Sequence, residues 1–456
     1  MTKILTSALT LLVAGVCVAL PPGVYIPDSL SASVGNPNGK RVMRMDGFGT
    51  WIDNVIAPAT PSFSIPLSCA QGPGDTILVS DQGNDNVQRF SNTGVYLGVF
   101  INFGAGTGNP RGIARLKSGN YLISLGDLDQ VVEYDSNGNF VKVFASVSKP
   151  WFPVQLRNGD VLVSRSTAWG SSEPTPPQVM RYSSTGLPLG VFVEGYPFSQ
   201  QVHELADGNI LVSVFSLPTT AHPDKGNALY EFTPAGVEVA KYNVQGPRGC
   251  MELTDGSILT TSGTVITKFA RGNPTGTVLS GFGGGTSSWR MIMNTNSPAP
   301  IKLKAALQGF AGDGNGLPIN VTITPTTGSP VSFAMTGSSA SSGTLGNPIT
   351  GTKITTLRGP ATIDIRGPRC LSRRLNVNLD TWGYESSTIQ LLAGDANADD
   401  MIDLFDYLIL SSGYETSDPD PGYLVNAGAD FNMDGTIDFF DYLLLSENYE
   451  KEGEAL

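Results

Sequence analysis

Residues 110–144 read Pro110-Arg-Gly-Ile-Ala-Arg-Leu-Lys-Ser-Gly-Asn-Tyr-Leu-Ile-Ser-Leu-Gly-Asp-Leu-Asp-Gln-Val-Val-Glu-Tyr-Asp-Ser-Asn-Gly-Asn-Phe-Val-Lys-Val-Phe144. Four short apolar runs follow one another here: Gly112–Leu116, Tyr121–Ser124, Val131–Tyr134 and Phe140–Phe144. Gly119-Asn120 precedes the second run and Asp135-Ser-Asn-Gly138 precedes the fourth. Short runs bounded by Gly, Asn and Asp read as strands joined by tight turns. The second run belongs to a series: Ile77–Ser80, Tyr121–Ser124, Val161–Ser164, Ile210–Ser213 and Ile258–Thr261, at steps of 44, 40, 49 and 48 residues. Each member is followed by a run ending in an aromatic, as in Val87-Gln-Arg-Phe90, Val179-Met-Arg-Tyr182, Leu229-Tyr-Glu-Phe232 and Val265-Ile-Thr-Lys-Phe269.

Four short strands per roughly 45 residues mark the blades of a β-propeller. A blade hides its faces only against its neighbours, so the ring has to close. Five complete blades fall between about Pro66 and Phe282. The sixth is expected from both chain ends, with Trp289–Asn294 innermost and Val24–Pro27, Arg41–Met45 and Thr50–Ile56 outside it. Over roughly residues 23–295 the pattern resembles the NHL-type and related six-bladed propellers of secreted bacterial proteins.

With 456 residues, 40% of them apolar, the chain can bury several cores, and 54 Gly and 31 Pro suit many turns. Lys3 and the apolar stretch Ile4–Leu20 read as a signal peptide over 1–20, with Cys17 and Ala19 as the small residues before cleavage. No further apolar run reaches the ~18 residues of a membrane span. The mature chain is therefore expected to be secreted or held at the cell surface, without a membrane span. Cys69, Cys250 and Cys370 remain. Cys69 and Cys250 hold equivalent positions of non-neighbouring repeats, beyond the ~7 Å reach of a disulfide. Three buried thiols are expected.

The net charge of −12 is concentrated. Residues 393–456 hold sixteen of the 40 acids and one of the 28 bases, Lys451. No Lys/Arg run occurs, which argues against a nucleic acid partner.

Within the propeller, ligands are expected where the inner strands begin. Blade alignment puts Arg111, Trp151, Gln200, Arg248 and Trp289 there, and two long loops bring Trp169 and His222. Such a wall suits a carbohydrate or an acidic ligand. The bland alternative is that the Trp residues pack between blades and the Arg residues cap strand ends. Gln71, Arg115, Gln155, Glu204 and Glu252 form a second polar ring, in which Glu204 and Glu252 are a candidate channel metal pair, as in lactonase-like propellers. His203 sits beside Glu204, and neither G-x-S-x-G nor H-E-x-x-H occurs. Residues 297–392, with apolar runs Ile301–Phe310, Leu317–Thr324, Ile354–Thr356, Ala361–Ile365 and Leu375–Leu379, read as a β-sandwich. It resembles small carboxypeptidase-regulatory-like or transthyretin-like sandwiches.

In the acidic region two stretches align over a 35-residue shift. Asp395-Ala-Asn-Ala-Asp-Asp-Met-Ile-Asp-Leu-Phe-Asp406 meets Asp430-Phe-Asn-Met-Asp-Gly-Thr-Ile-Asp-Phe-Phe-Asp441. This is the spacing of an EF-hand calcium loop, in which alternating side chains turn oxygens toward one hard cation. Two calcium ions are expected. Their donors are Asp395, Asn397, Asp399, the Met401 carbonyl, Asp403 and Asp406, then Asp430, Asn432, Asp434, the Thr436 carbonyl, Asp438 and Asp441. Gly435 supplies the turn at position 6, where the first loop has Asp400, and Ile402 and Ile437 are expected to pack the loops together. Asp at position 12, no helix before either loop and an upstream sandwich resemble type I dockerin modules, over residues 393–450 with a tail at 451–456.

That resemblance implies a cohesin partner read by Leu404, Phe405, Ser411, Ser412, Phe439, Phe440, Ser446 and Glu447. These are not the small and basic residues that cellulosomal dockerins tend to carry. A non-cellulosomal cohesin-like protein and the chain's own sandwich both remain open as partners. The fold class expected is mainly β: a six-bladed propeller over 21–296, a sandwich and a small α-helical EF-hand-like dockerin. The function expected is non-catalytic recognition by the propeller with calcium-dependent attachment. The alternatives are a dockerin-tethered propeller hydrolase, lactonase or lyase, or a structural cell-surface protein.

Overall fold

A computed structural model describes residues 20–30, 39–57, 63–168, 177–218, 222–280, 288–312, 314–338 and 340–454. The expected signal peptide and Trp169 fall outside these residues. The chain divides into two units, Met1–Asn296 and Ser297–Leu456.

The first unit is a six-bladed propeller built from six four-stranded antiparallel sheets. Its inner strands are Pro66–Gln71, Pro110–Arg115, Pro150–Gln155, Ser199–Glu204, Gly249–Glu252 and Met293–Asn294, heading blades 1 to 6. The second strands of blades 1 to 5, Ile77–Asp81, Tyr121–Leu125, Val161–Arg165, Ile210–Val214 and Ile258–Ser262, are buried at every residue. Both their faces are covered by neighbouring blades, so each opens on an apolar pair before its recurrent Ser or Thr. Outermost strands such as Tyr96–Asn102 and Phe140–Ser146 leave most residues at least partly exposed. Register shifts interrupt their pairing in blades 1 to 4, a device that spoils a free sheet edge.

Blade 6 is closed by both ends of the unit. Val24 pairs with Asn294 and Tyr25 with Met293, and Val24–Asp28, Arg41–Met45 and Trp51–Ile56 complete the sheet. The innermost strand is shorter than expected. Trp289 instead donates its N–H to Gly263 of blade 5 at 2.7 Å, and Arg290 donates to Pro27 at 3.0 Å.

The recurrent Ser/Thr of the second strands has a structural cause. Ser80 donates to the Arg111 carbonyl at 2.5 Å, Ser213 to that of Arg248 at 3.2 Å and Thr261 to that of Arg290 at 2.7 Å. Ser164 does the same to Gln200. Each hydroxyl ties one blade to the inner strand of the next.

In the second unit Ile349–Thr355, Ala299–Leu307 and Tyr384–Leu391 form one sheet, with the last two strands parallel. Val331–Thr336, Pro318–Pro325, Gly359–Arg366 and Arg373–Leu379 form the facing antiparallel sheet. Val331–Thr336 and Tyr384–Leu391 have no counterpart in the expected runs. Both leave many residues exposed and carry several Ser and Thr, so their apolar signal is thin.

Three helices follow: α1 (Leu404–Gly413), α2 (Pro421–Asn426) and α3 (Phe439–Asn448). Ile402, Leu410, Tyr423, Phe431, Ile437 and Leu445 from this region join Leu303, Ile319, Ile363 and Leu391 of the sheets in one apolar cluster. Sandwich and helices, expected as separate domains, share a core. Cys69, Cys250 and Cys370 are free and buried.

Candidate functional site

The two acidic loops fold alike. Asp406 accepts N–H groups from Ala396 at 2.7 Å, Asn397 at 3.2 Å and Asp403 at 2.9 Å. Asp441 accepts those of Phe431, Asn432 and Asp438 at 2.6, 3.2 and 2.9 Å. Asp403 and Asp438 cap α1 and α3 by accepting from Phe405 at 2.7 Å and Phe440 at 2.8 Å. Asp399 Oδ1 accepts from Met401, and Asp434 Oδ1 from Thr436, both at 2.9 Å. Asn397 and Asn432 each donate to the carboxylate two residues on, at 2.8 Å.

Asp395, Asp406, Asp430 and Asp441 are almost wholly buried. Burial raises the pKa of Asp395 and Asp406, and lifts Asp441 to about 6. Carboxylates taken out of water want a positive charge nearby. Among the described residues no group of three His, Cys, Asp or Glu side chains forms a preset cage. The loops offer a mixed set of carboxylate, amide and carbonyl oxygens, and that chemistry fits calcium.

Position 6 takes the left-handed conformation in both loops, as the turn requires. Gly435 has φ +90°, and Asp400 adopts φ +72° at the matching place. Asp400 holds this conformation because its side chain is used: Ser372 of the sandwich donates its N–H at 2.6 Å and its hydroxyl as well.

The same sandwich segment reaches the first residue of both loops. Arg366 binds Asp395 Oδ2, and Arg369 lies 3.4 Å from Asp430 Oδ2 while donating to the Asp430 carbonyl. Tyr423 adds a donor to Asp430 Oδ2 at 2.7 Å. These partners were invisible at sequence level. The only cue was the spaced set of four arginines, Arg366, Arg369, Arg373 and Arg374, in a chain otherwise poor in charge.

Ile402 and Ile437 are buried in one apolar cluster, and the backbone of each loop pairs with a segment outside the loops. Ile437 pairs with Thr416, after α1, and its carbonyl accepts from Glu415 at 2.8 Å. Ile402 donates to Lys451, after α3, at 2.9 Å and accepts from Glu450 at 2.8 Å. The expected tail is thus a clasp: Gly453 also donates to Asp400 at 2.8 Å and Glu454 to Ser372 at 3.1 Å.

The expected partner-reading residues Leu404, Phe405, Ser411, Ser412, Phe439, Phe440, Ser446 and Glu447 are all exposed. Tyr407, Leu408, Tyr442 and Leu443 are exposed too, so both helices present the same four apolar positions outward. A contiguous apolar face of this kind marks an interaction surface. Glu447 also accepts from Gln308 of the sandwich at 3.0 Å. The chain's own sandwich therefore covers one face of the helices and leaves the opposite one open.

The propeller candidates separate. Trp289 is 2% exposed and lies beneath Arg41, 5.1 Å from its ring, so it is core and not mouth. Arg111 stacks on Trp151 at 4.7 Å, and Arg248 stacks on Phe215 at 3.4 Å while reaching Gln200. His222 is half-exposed on the loop between Ile210–Val214 and Ala228–Phe232. Leu67, Phe152 and Met291, from the inner strands or their approaches in blades 1, 3 and 6, meet in one apolar cluster and fill the channel. The side chain of Gln201 spans to blade 6, exchanging bonds of 2.6 and 2.7 Å with Ile292.

The second polar ring supplies latches between blades. Gln155 accepts from Lys117 at 2.8 Å, Glu204 from Arg157 at 2.8 Å and Glu252 from Ala206 at 2.7 Å. Each joins an inner strand to a turn of the preceding blade. Replacing Glu252 with Ala leaves the Ala206 N–H unpaired and is expected to lower the melting temperature of the propeller by several degrees, at about 1–3 kcal/mol. An unchanged thermogram would remove the latch.

No family profile matches the chain, and no curated protein matches it. Among solved structures it is similar to a nidogen/laminin complex, at 11% identity over 60% of this chain and 97% of that one, with TM-score 0.47. It is similar to a streptogramin B lyase at 12% identity over 61% and 90%, with TM-score 0.38. It is also similar to a type II cohesin–X-dockerin complex from Acetivibrio cellulolyticus, at 22% identity over 34% and 99%, with TM-score 0.27. With values this low, the reading of the sites rests on the residues themselves. Among the described residues no helix is long and apolar enough to cross a membrane.

Proposed function

We propose that residues 393–454 form a calcium-loaded docking module that attaches an exported recognition propeller to a cohesin-like protein. The observation that carries this reading is the matched pair of faces: Leu404, Phe405, Tyr407 and Leu408 on α1, and Phe439, Phe440, Tyr442 and Leu443 on α3, all exposed. Two helices whose inner residues share a core with the sheets have no folding reason to repeat an apolar outer face. The loops beneath them set the helix starts through Asp403 and Asp438, so the cation sites and the docking face are one construction. Bound calcium would supply positive charge to the buried carboxylates. The protein's own groups already orient those carboxylates by N–H bonds.

Calorimetric titration of the full chain, stripped with EDTA, is expected to report two calcium ions. Asp395→Ala and Asp430→Ala should each remove one, and the reading falls if no saturable calcium binding is found. Phe405→Glu with Phe440→Glu is expected to weaken capture by immobilised cohesins at least a hundredfold, with calcium binding unchanged. Equal capture by wild type and variant would place the partner elsewhere.

A further inference from the structure

Four hydroxyl bonds fix a layer of the propeller. Ser80, Ser164, Ser213 and Thr261 each reach one carbonyl of the next blade: Arg111 and Gln200 within their inner strands, and Arg248 and Arg290 just ahead of Gly249–Glu252 and Met293–Asn294. Trp151 holds the same place in blade 3, since Ser164 also accepts from the following residue, Phe152, at 3.0 Å. Three of the ring's residues are therefore arginines, at the end of the channel where inner strands begin.

Each arginine has a prepared seat. A Cβ on Gly126 would stand 2.4 Å from the Arg111 guanidinium carbon, so the glycine leaves room for the guanidinium where it lies over Trp151. Arg248 lies between Phe215 and Gln200. Arg290 is held through Nε by Ser29 at 2.5 Å. Among the described residues none of the three is ion-paired. Arg111 Nε, Arg248 Nε and Trp151 Nε1 are buried without a protein partner. Asp127 and Asp129 attract Arg111 and Asp28 attracts Arg290 without pairing, while Arg248 meets only the like charge of Arg290. A guanidinium partly out of water and without a paired carboxylate is costly unless an anion completes it.

We propose that this mouth binds a carboxylate-bearing sugar, held by Arg111, Arg248 and Arg290 beside Trp151, Gln200 and Phe215. The guanidinium fork matches a carboxylate's two oxygens, Gln200 is buried and orients Arg248 by accepting from it, and the partly exposed Trp151 gives a flat wall for a sugar ring. Burial lowers the pKa of all three arginines, and Arg248 falls to about 10 with Arg290 adding to the effect. The filled channel below, with Leu67, Phe152 and Met291, stops a ligand at the rim.

The inference deepens the recognition role proposed for the propeller and is independent of calcium and of docking. Binding of D-glucuronate, D-glucose and inorganic phosphate to the full chain is measured by NMR titration at constant ionic strength. Glucuronate is expected to saturate at least tenfold tighter than glucose. Arg248→Gln with Arg290→Gln should cost at least tenfold, and the Lys versions less. Arg111→Gln serves as a second variant, and melting curves check that each protein is folded. Glucuronate no tighter than glucose, phosphate saturating where glucuronate does not, or Gln variants that bind like wild type would overturn the assignment. Failure here leaves the calcium and cohesin experiments of the docking module unaffected.

Discussion

A chain lacking residues 1–57 is expected to lose its entire propeller. The deletion removes Val24–Asp28, Arg41–Met45 and Trp51–Ile56, leaving blade 6 with Met293–Asn294 alone. Val24, Tyr25, Ile26, Val42, Met43, Met45, Val55 and Ile56 are all buried, several of them beside Met251, Leu253, Leu259 and Ile266 of blade 5. At about 1.5–3 kcal/mol for each large side chain, their loss matches or exceeds the roughly 5–15 kcal/mol that holds a typical domain together. The exposed flanks of blades 1 and 5 would add an aggregation hazard. Calorimetry is expected to show no propeller transition, while residues 297–456 still melt cooperatively. A propeller transition at its original temperature would mean that the two chain ends only decorate a ring that closes without them.

Changing Arg366 and Arg369 together to Gln is expected to make the docking module depend on calcium for its fold. In the native chain the partner aspartates are nearly inaccessible, with Asp395 0% and Asp430 2% exposed, while the arginines are 34% and 23% exposed. Removing one partner of a buried pair costs about 3–5 kcal/mol, and the partial exposure of the guanidiniums places this effect at the low end. Two such losses rival the stability of a small module. A bound cation supplies the missing positive charge, so calcium should rescue the variant. Hydrogen exchange of residues 393–454 in the full chain reads this directly. In EDTA the wild type should stay protected and the variant should not, and added calcium should restore protection. If both proteins exchange alike in EDTA, the arginines are bystanders.

The legible parts of the molecule are those that repeat. Second strands such as Val161–Arg165 are buried on both faces, so their apolar runs survive in the sequence, and the Ser/Thr at their ends marks a bond to the next blade. The blade built from both chain ends followed from the same count. The two acidic loops were legible as a matched pair because their Asp and Asn spacing repeats after 35 residues.

What escaped is made of contacts between segments far apart in the chain. Trp289 aligned with the mouth but lies under Arg41, 248 positions away in the sequence. Glu204 and Glu252 resembled metal ligands until their N–H donors, Arg157 and Ala206, came from the preceding blade. Asp400 stands where the second loop has glycine, and its side chain is used by Ser372, 28 positions earlier. Shared cores and bridging arginines leave no period behind.

The reciprocal pairing around Ile402 and Ile437 has a consequence for how such a module can exist at all. Each loop completes its edge with the segment that follows the opposite helix, Glu415–Ser417 for one and Glu450–Glu452 for the other. Neither half owns the strand it needs. One half expressed alone could satisfy itself only by trading segments with a second copy, as a domain-swapped homodimer whose stability falls with dilution. Tandem duplication in one polypeptide replaces that bimolecular encounter with a high effective concentration, and the exchange becomes permanent at any dilution.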